Sequence, residues 1–123
     1  MFNFKKKEQQ TGFMNVRRQI LNKNSSFAVQ EAYKTLRTNV RFYLKKSGCR
    51  RISITSSVPG EGKSITLLNL AISLAEDGHK VLLIDADLRR PAQARLLVEK
   101  QTPGLSNVLA EQASLEEAIR KDQ

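Results

Sequence analysis

The chain has 123 residues, 40% hydrophobic and 27% charged, which allows one domain of ordinary globular composition and excludes a wholly disordered tail. No run approaches the roughly 18 apolar residues of a membrane-crossing helix. The formal net charge of +9 is unevenly placed: residues 1–51 carry a net of +11 and residues 52–123 a net of −2. Lys5, Lys6 and Lys7 resemble the start of a signal peptide, but Glu8-Gln9-Gln10-Thr11-Gly12 stands where its apolar stretch belongs, so secretion is not expected. The single cysteine, Cys49, forms no internal disulfide and agrees with a reducing cytosol.

Residues 1–24 show no steady period and read as a basic flexible arm or a nascent helix. Such a charge excess fits nucleic acid, an anionic membrane surface, an acidic partner, or simple solvation. Phe2, Phe4, Phe13 and Met14 among the basic residues keep a lipid-surface or docking role open.

Residues 25–46 predict a helix. Ser26 is suited to its N-cap, and Val29, Tyr33, Leu36, Val40 and Leu44 form one apolar stripe. Lys45-Lys46-Ser47-Gly48 places cations and a left-handed terminator at its end. From Arg51 the pattern changes. Ile52-Ser53-Ile54-Thr55-Ser56 alternates as a strand, and the turn Val58-Pro59-Gly60-Glu61-Gly62 leads into an apolar helix from Lys63 to Ala75 that Gly78 stops. Val81-Leu82-Leu83-Ile84 predicts a second strand, covered on both faces, giving a βαβ unit. Short helices are expected near 92–97 and 106–111. Ser114 and Glu117 form a capping box whose helix runs on to the chain end.

The run from Ser57 to Ser64 fits the phosphate-loop pattern G-x-x-x-x-G-K-[ST], except that Ser57 replaces the first glycine. Small residues let backbone N–H groups turn inward around a phosphate, and the following helix offers its positive end to the same anion. Lys63 is expected to reach the β- and γ-phosphates and the Ser64 hydroxyl to hold Mg²⁺. The nucleotide-binding set is Ser57, Pro59, Gly60, Glu61, Gly62, Lys63, Ser64 and Ile65. Asp85 and Asp87 follow the second expected strand, at the sheet edge that opens into a ligand crevice. Asp85 is the better metal candidate because it closes the strand, and Asp87 is placed to bind water or the acceptor. Arg89 and Arg90 fit either phosphate contacts or surface pairs.

The stretches Glu31-Ala32-Tyr33-Lys34-Thr35-Leu36-Arg37-Thr38-Asn39-Val40, Ser56 to Ser64, Leu82 to Pro91 and Gly104-Leu105-Ser106-Asn107-Val108-Leu109, in that order, resemble the bacterial tyrosine kinases of the CpsD/CapB capsule and exopolysaccharide kind. The resemblance covers residues 25 to 119. It implies an ATP-dependent protein-tyrosine autokinase on an α/β fold, a P-loop NTPase-like parallel sheet with flanking helices behind an N-terminal helix. Residues 25–123 would be the N-terminal part of that kinase domain. Lys63, Asp85 and Asp87 would be catalytic, with ATP and Mg²⁺ as cofactors and Ser64 and Asp85 at the metal. The family's E-x-x-R-x-x-R oligomerisation helix maps to Glu31, Lys34 and Arg37, with lysine in place of the middle arginine and its planar fork lost.

The resemblance also implies a homo-oligomer, activated by the cytosolic tail of a transmembrane partner. The protein would then be cytoplasmic, peripheral to the inner face of the plasma membrane, with no specific nucleic-acid partner. The family's later metal-linked aspartate and C-terminal tyrosine cluster have no counterpart before Gln123, and only two strands can be counted. A chain truncated after the second strand region is therefore expected. Its tyrosines, Tyr33 and Tyr43, read as packing or interface residues. Two other readings stand beside this one. One is a partition- or septum-site ATPase of the ParA/MinD kind with a DNA- or membrane-associated arm, although Val58 stands where those proteins carry a second lysine. The other is a non-catalytic nucleotide-binding module.

Overall fold

The computed structural model describes residue 12 and residues 14–121. The Lys5-Lys6-Lys7 run and Phe2, Phe4 and Phe13 lie outside the described residues. The chain divides into two compact units, Met1–Leu82 and Leu83–Gln123.

The first unit is built on two packed helices, α1 (Phe27–Ser47) and α2 (Lys63–Glu76). Ser26 caps α1, its Oγ accepting from the Val29 N–H at 3.4 Å, and Gly48 ends it at φ 69°. Tyr33, Leu36, Val40 and Leu44 of the expected stripe are half-buried, whereas Val29 at its start is exposed. The core belongs to α2. Ile65, Leu68, Leu70 and Leu74 are buried there together with Leu21 from the preceding segment. Each such side chain contributes about 1.5–3 kcal/mol. Helix α2 stops as its sequence predicts: Gly78 takes φ 83° and its N–H donates to Ala75 O, while His79 N–H donates to Leu74 O.

The second unit has three short helices, α3 (Gln93–Leu97), α4 (Leu105–Leu109) and α5 (Leu115–Ala118), and among its described residues Leu96 on α3 is the buried apolar side chain. Helices α4 and α5 pack together. Gly104 is required before α4 because a Cβ there would meet Gln101 O at 2.9 Å. The capping box at α5 forms in both directions, Glu117 N–H to Ser114 Oγ and Ser114 N–H to Glu117 Oε2. The Ser114 backbone and hydroxyl hold the Glu117 carboxyl below its ordinary value.

Two expectations are corrected. Segments 52–56 and 81–84 form no strands, so the parallel sheet is not present among the described residues. A strand is completed only by ladder hydrogen bonds from a neighbour, and β-branched composition cannot supply them. Ile52, Val81, Leu82 and Ile84 are consequently exposed. Of the two tyrosines expected to pack or to meet an interface, Tyr33 is half-buried, and Tyr43 is 71% exposed with an edge contact to Phe42. Helix α5 ends at Ala118 before the chain does, with Ile119 extended. The Arg120 guanidinium closes that end, donating to Glu117 O and to Thr102 O and Pro103 O. No helix among the described residues is long and apolar enough to cross a membrane.

Candidate functional site

Residues 57–62 are a succession of bends and one tight turn, delivering the chain into α2 at Lys63. Ser56 Oγ donates to Val58 O at 2.9 Å and starts the curl. Gly60 and Gly62 then take φ 86° and 82°. At Gly60 a Cβ would meet open space, so backbone conformation alone calls for glycine. Thr66 N–H donates to Gly62 O at 2.9 Å and closes the first helical turn.

No side chain caps α2, and its first turn carries no acidic residue. The positive end of a 14-residue helix therefore faces a glycine-bounded loop with Lys63 at its first position, an arrangement that receives an anion. Ser57, Pro59, Gly60 and Glu61 are exposed along this loop, and Gly62, Lys63 and Ser64 are half-buried. Ile65 differs from the rest of the expected set. Its side chain is buried in the core, leaving only its backbone for a ligand.

Lys63 and Ser64 belong to the first unit, Asp85 and Asp87 to the second. Asp85 is engaged by its own loop. Its Oδ2 accepts from the Ala92 and Gln93 N–H groups at 2.7 and 2.9 Å, and its Oδ1 from Asp87 N–H at 3.1 Å. An ionised carboxylate offers about four lone-pair directions, so about one is left, on Oδ1. Asp87 accepts from Arg90 N–H at 3.0 Å, and the Arg89 and Arg90 residues are exposed. Among the described residues no three His, Cys, Asp or Glu side chains gather into a metal cage.

The three residues expected at a subunit contact are placed differently from one another. Glu31 and Lys34 form an exposed ion pair at 2.7 Å. Arg37 turns inward, donating to Ser73 O at 2.8 Å and lying 3.7 Å from Asp77 Oδ1. Arg41 reaches the same aspartate at 2.6 Å. Asn69 is a further buried anchor: its Oδ1 accepts from Leu21 N–H at 2.8 Å and its Nδ2 donates to Gln19 O at 2.9 Å. The sequence reading missed Asn69, Ser73 and Asp77. Asn69 and Ser73 carry a usable signal, polar residues four apart on one face of an otherwise apolar helix.

Residues 49–123 match the family described as AAA domain. The chain is 46% identical over 90 residues to tyrosine-protein kinase YwqD of Bacillus subtilis (strain 168), covering 73% of this chain and 38% of that protein. It is 41% identical over 91 residues to tyrosine-protein kinase CpsD of Streptococcus agalactiae, covering 73% and 39%. Against the succinoglycan biosynthesis transport protein ExoP of Rhizobium meliloti (strain 1021) identity is 37% over 99 residues, covering 80% and 12%. The chain thus spans well under half the length of these relatives. No solved structure matches it significantly. With its phosphate loop curled at the head of α2 and the match running from residue 49 to 123, the chain belongs to the AAA domain family and is a relative of the bacterial tyrosine-protein kinases.

Proposed function

We propose that this chain is the nucleotide-binding portion of an ATP-dependent protein-tyrosine autokinase that regulates capsular or exopolysaccharide biosynthesis and export. The observation that carries the reading is the loop at 57–62, turned through two left-handed glycines onto the uncapped end of α2. Its kinase-named relatives support it, and ExoP supports the polysaccharide setting.

In this reading, backbone N–H groups of 60–64 cradle the β-phosphate and Lys63 neutralises the β- and γ-oxygens. Ser64 would be the metal ligand offered by the first unit and Asp85, with its remaining lone pair, the one offered by the second, and Asp87 would orient the attacking tyrosine hydroxyl. Mg²⁺, when bound, would supply further charge neutralisation. Phosphoryl transfer demands chiefly such positioning and charge stabilisation from a protein. The fold proposed around the site is the parallel P-loop sheet, completed when segments 52–56 and 81–84 acquire ladder partners. Glu31 and Lys34, exposed on α1, would meet a second copy, and a transmembrane activator would hold the assembly at the inner membrane face.

Titration of the chain with a fluorescent ATP analogue and Mg²⁺ tests the site. Lys63→Met removes a charge-assisted contact and should weaken binding about ten- to hundredfold. The 123-residue chain by itself is expected to catalyse poorly, and phosphotyrosine should vanish when Lys63→Met is made in a longer protein that contains it. Unchanged nucleotide affinity in Lys63→Met would remove the ground for the whole reading.

A further inference from the structure

Asn69 sits mid-way along α2, 2% exposed in an apolar run, with both halves of its amide committed to one backbone segment. Its carbonyl takes the Leu21 N–H and its amino group the Gln19 carbonyl, as the edge of a neighbouring strand would. A leucine at this position would pack against any apolar surface. An asparagine fits only a segment that offers a donor and an acceptor two residues apart. Withdrawing residues 19–21 would leave both halves of a buried amide unpaired, at about 1–3 kcal/mol for each group. The latch is therefore made or broken as a whole.

The other end of the connection is the phosphate loop. Ile65 precedes Asn69 by one helical turn on the same face, and both line a cleft of about 420 Å³ together with Gln19, Val29 and Tyr33. Ile65 Cγ2 lies 3.7 Å from the position a Cβ would occupy on Gly62. Gly62, Ile65, Asn69 and residues 19–21 all lie in the first unit, Ile65 and Asn69 share one helix face, and Ser64 to Asn69 spans only about 8 Å of helix.

We propose that Asn69 is a positioning residue that ties the 19–21 segment to the phosphate loop, so that a nucleoside triphosphate in the loop tightens the hold on the basic N-terminal stretch. The proposal rests on the nucleotide reading above and adds a coupling to it. An anion that fixes Gly62 and the first turn of α2 also fixes the Ile65 and Asn69 face. By linkage, a secured 19–21 segment raises nucleotide affinity by the same factor.

Hydrogen exchange at the Leu21 amide, read by NMR on the 123-residue chain with and without saturating Mg·ATP, tests the coupling, with ATP affinity measured in parallel. Nucleotide should slow Leu21 exchange by about tenfold, within the usual range for coupled sites. The Glu117 amide, held by Ser114 Oγ in the second unit, should not change. Asn69→Leu should abolish the Leu21 response and weaken ATP by a similar factor. Asn69→Asp keeps the acceptor for Leu21 but loses the donor to Gln19, and should fall between. If ATP binds the unaltered chain and Leu21 exchange is unchanged, Asn69 is a packing residue only and the coupling is refuted while the nucleotide reading stands. If ATP does not bind, both are refuted.

Discussion

Replacing Arg37 with methionine keeps the aliphatic stem and removes the guanidinium that joins α1 to α2. The main bond lost is the 2.8 Å contact to Ser73 O, a hydrogen bond from a charged donor worth about 1.5–3 kcal/mol, and a 3.4 Å contact to Ser73 Oγ goes with it. Two observations reduce the expected cost. Arg37 Nε is buried without a partner, a penalty the methionine relieves. Asp77 retains Arg41 at 2.6 Å, so loss of the 3.7 Å approach from Arg37 leaves it paired. The net loss should be on the order of 1–2 kcal/mol, lowering the urea midpoint by roughly 0.5–1 M at ordinary slopes for small proteins. Helical circular dichroism during urea titration measures it. Lys34→Met is the matched control. Its ion pair with Glu31 joins side chains 53% and 44% exposed, so its midpoint should move by less than about 0.5 kcal/mol equivalent. Indistinguishable midpoints for the two variants, with Arg37→Met instead dissociating an oligomer of intact subunits, would assign Arg37 to a subunit contact and refute the staple.

Gly62→Ala forces an L-residue to φ 82°, at about 1–2 kcal/mol, and should lower both thermal stability and nucleotide affinity; an unchanged melting temperature would contradict it. Gly104→Ala places a Cβ 2.9 Å from Gln101 O and should cost about 1–3 kcal/mol in urea titration. Asp85→Ala should speed amide exchange at Ala92 and Gln93 together, and protection retained at both would deny Asp85 its role in holding that loop. For Glu117 the folded carboxyl lies below its ordinary value of 4.5, so its stabilisation is complete above that pH and is lost as pH falls through the lowered value. Followed by NMR, the Ser114 amide should titrate below 4.5 and cease to respond in Glu117→Ala.

Features governed by neighbours in sequence were legible: the Ser26 cap, the Gly48 and Gly78 terminators, the onset of α2 at Lys63 and the box at Ser114 and Glu117. Each depends on contacts a few residues apart, so composition and spacing decide it. The curl of the phosphate loop was legible for the same reason, since its glycines answer to local backbone geometry. Segments 52–56 and 81–84 carry strand composition but form no strands among the described residues, because that composition states a preference that only a distant partner can satisfy. The Asn69 latch and the Arg37 staple join residues 48 and 36 positions apart, and a polar residue in an apolar helix announces a partner without naming it. Asp85 was read by its chemistry as a metal ligand. Its bonds to Ala92 and Gln93 depend on how the loop folds back, which spacing does not reveal.

The uncovered aliphatic run at 81–84, with Val81, Leu82 and Ile84 all exposed, bears on how the protein behaves in a tube. Exposed β-branched and aliphatic side chains in a run without secondary structure are a seed for association between molecules. What opposes it is mutual repulsion among molecules of net charge +9. Salt shortens the reach of that repulsion to about 8–10 Å at physiological strength. Turbidity of concentrated samples should therefore rise with added sodium chloride, and dilute, low-salt buffer is the condition in which single molecules persist.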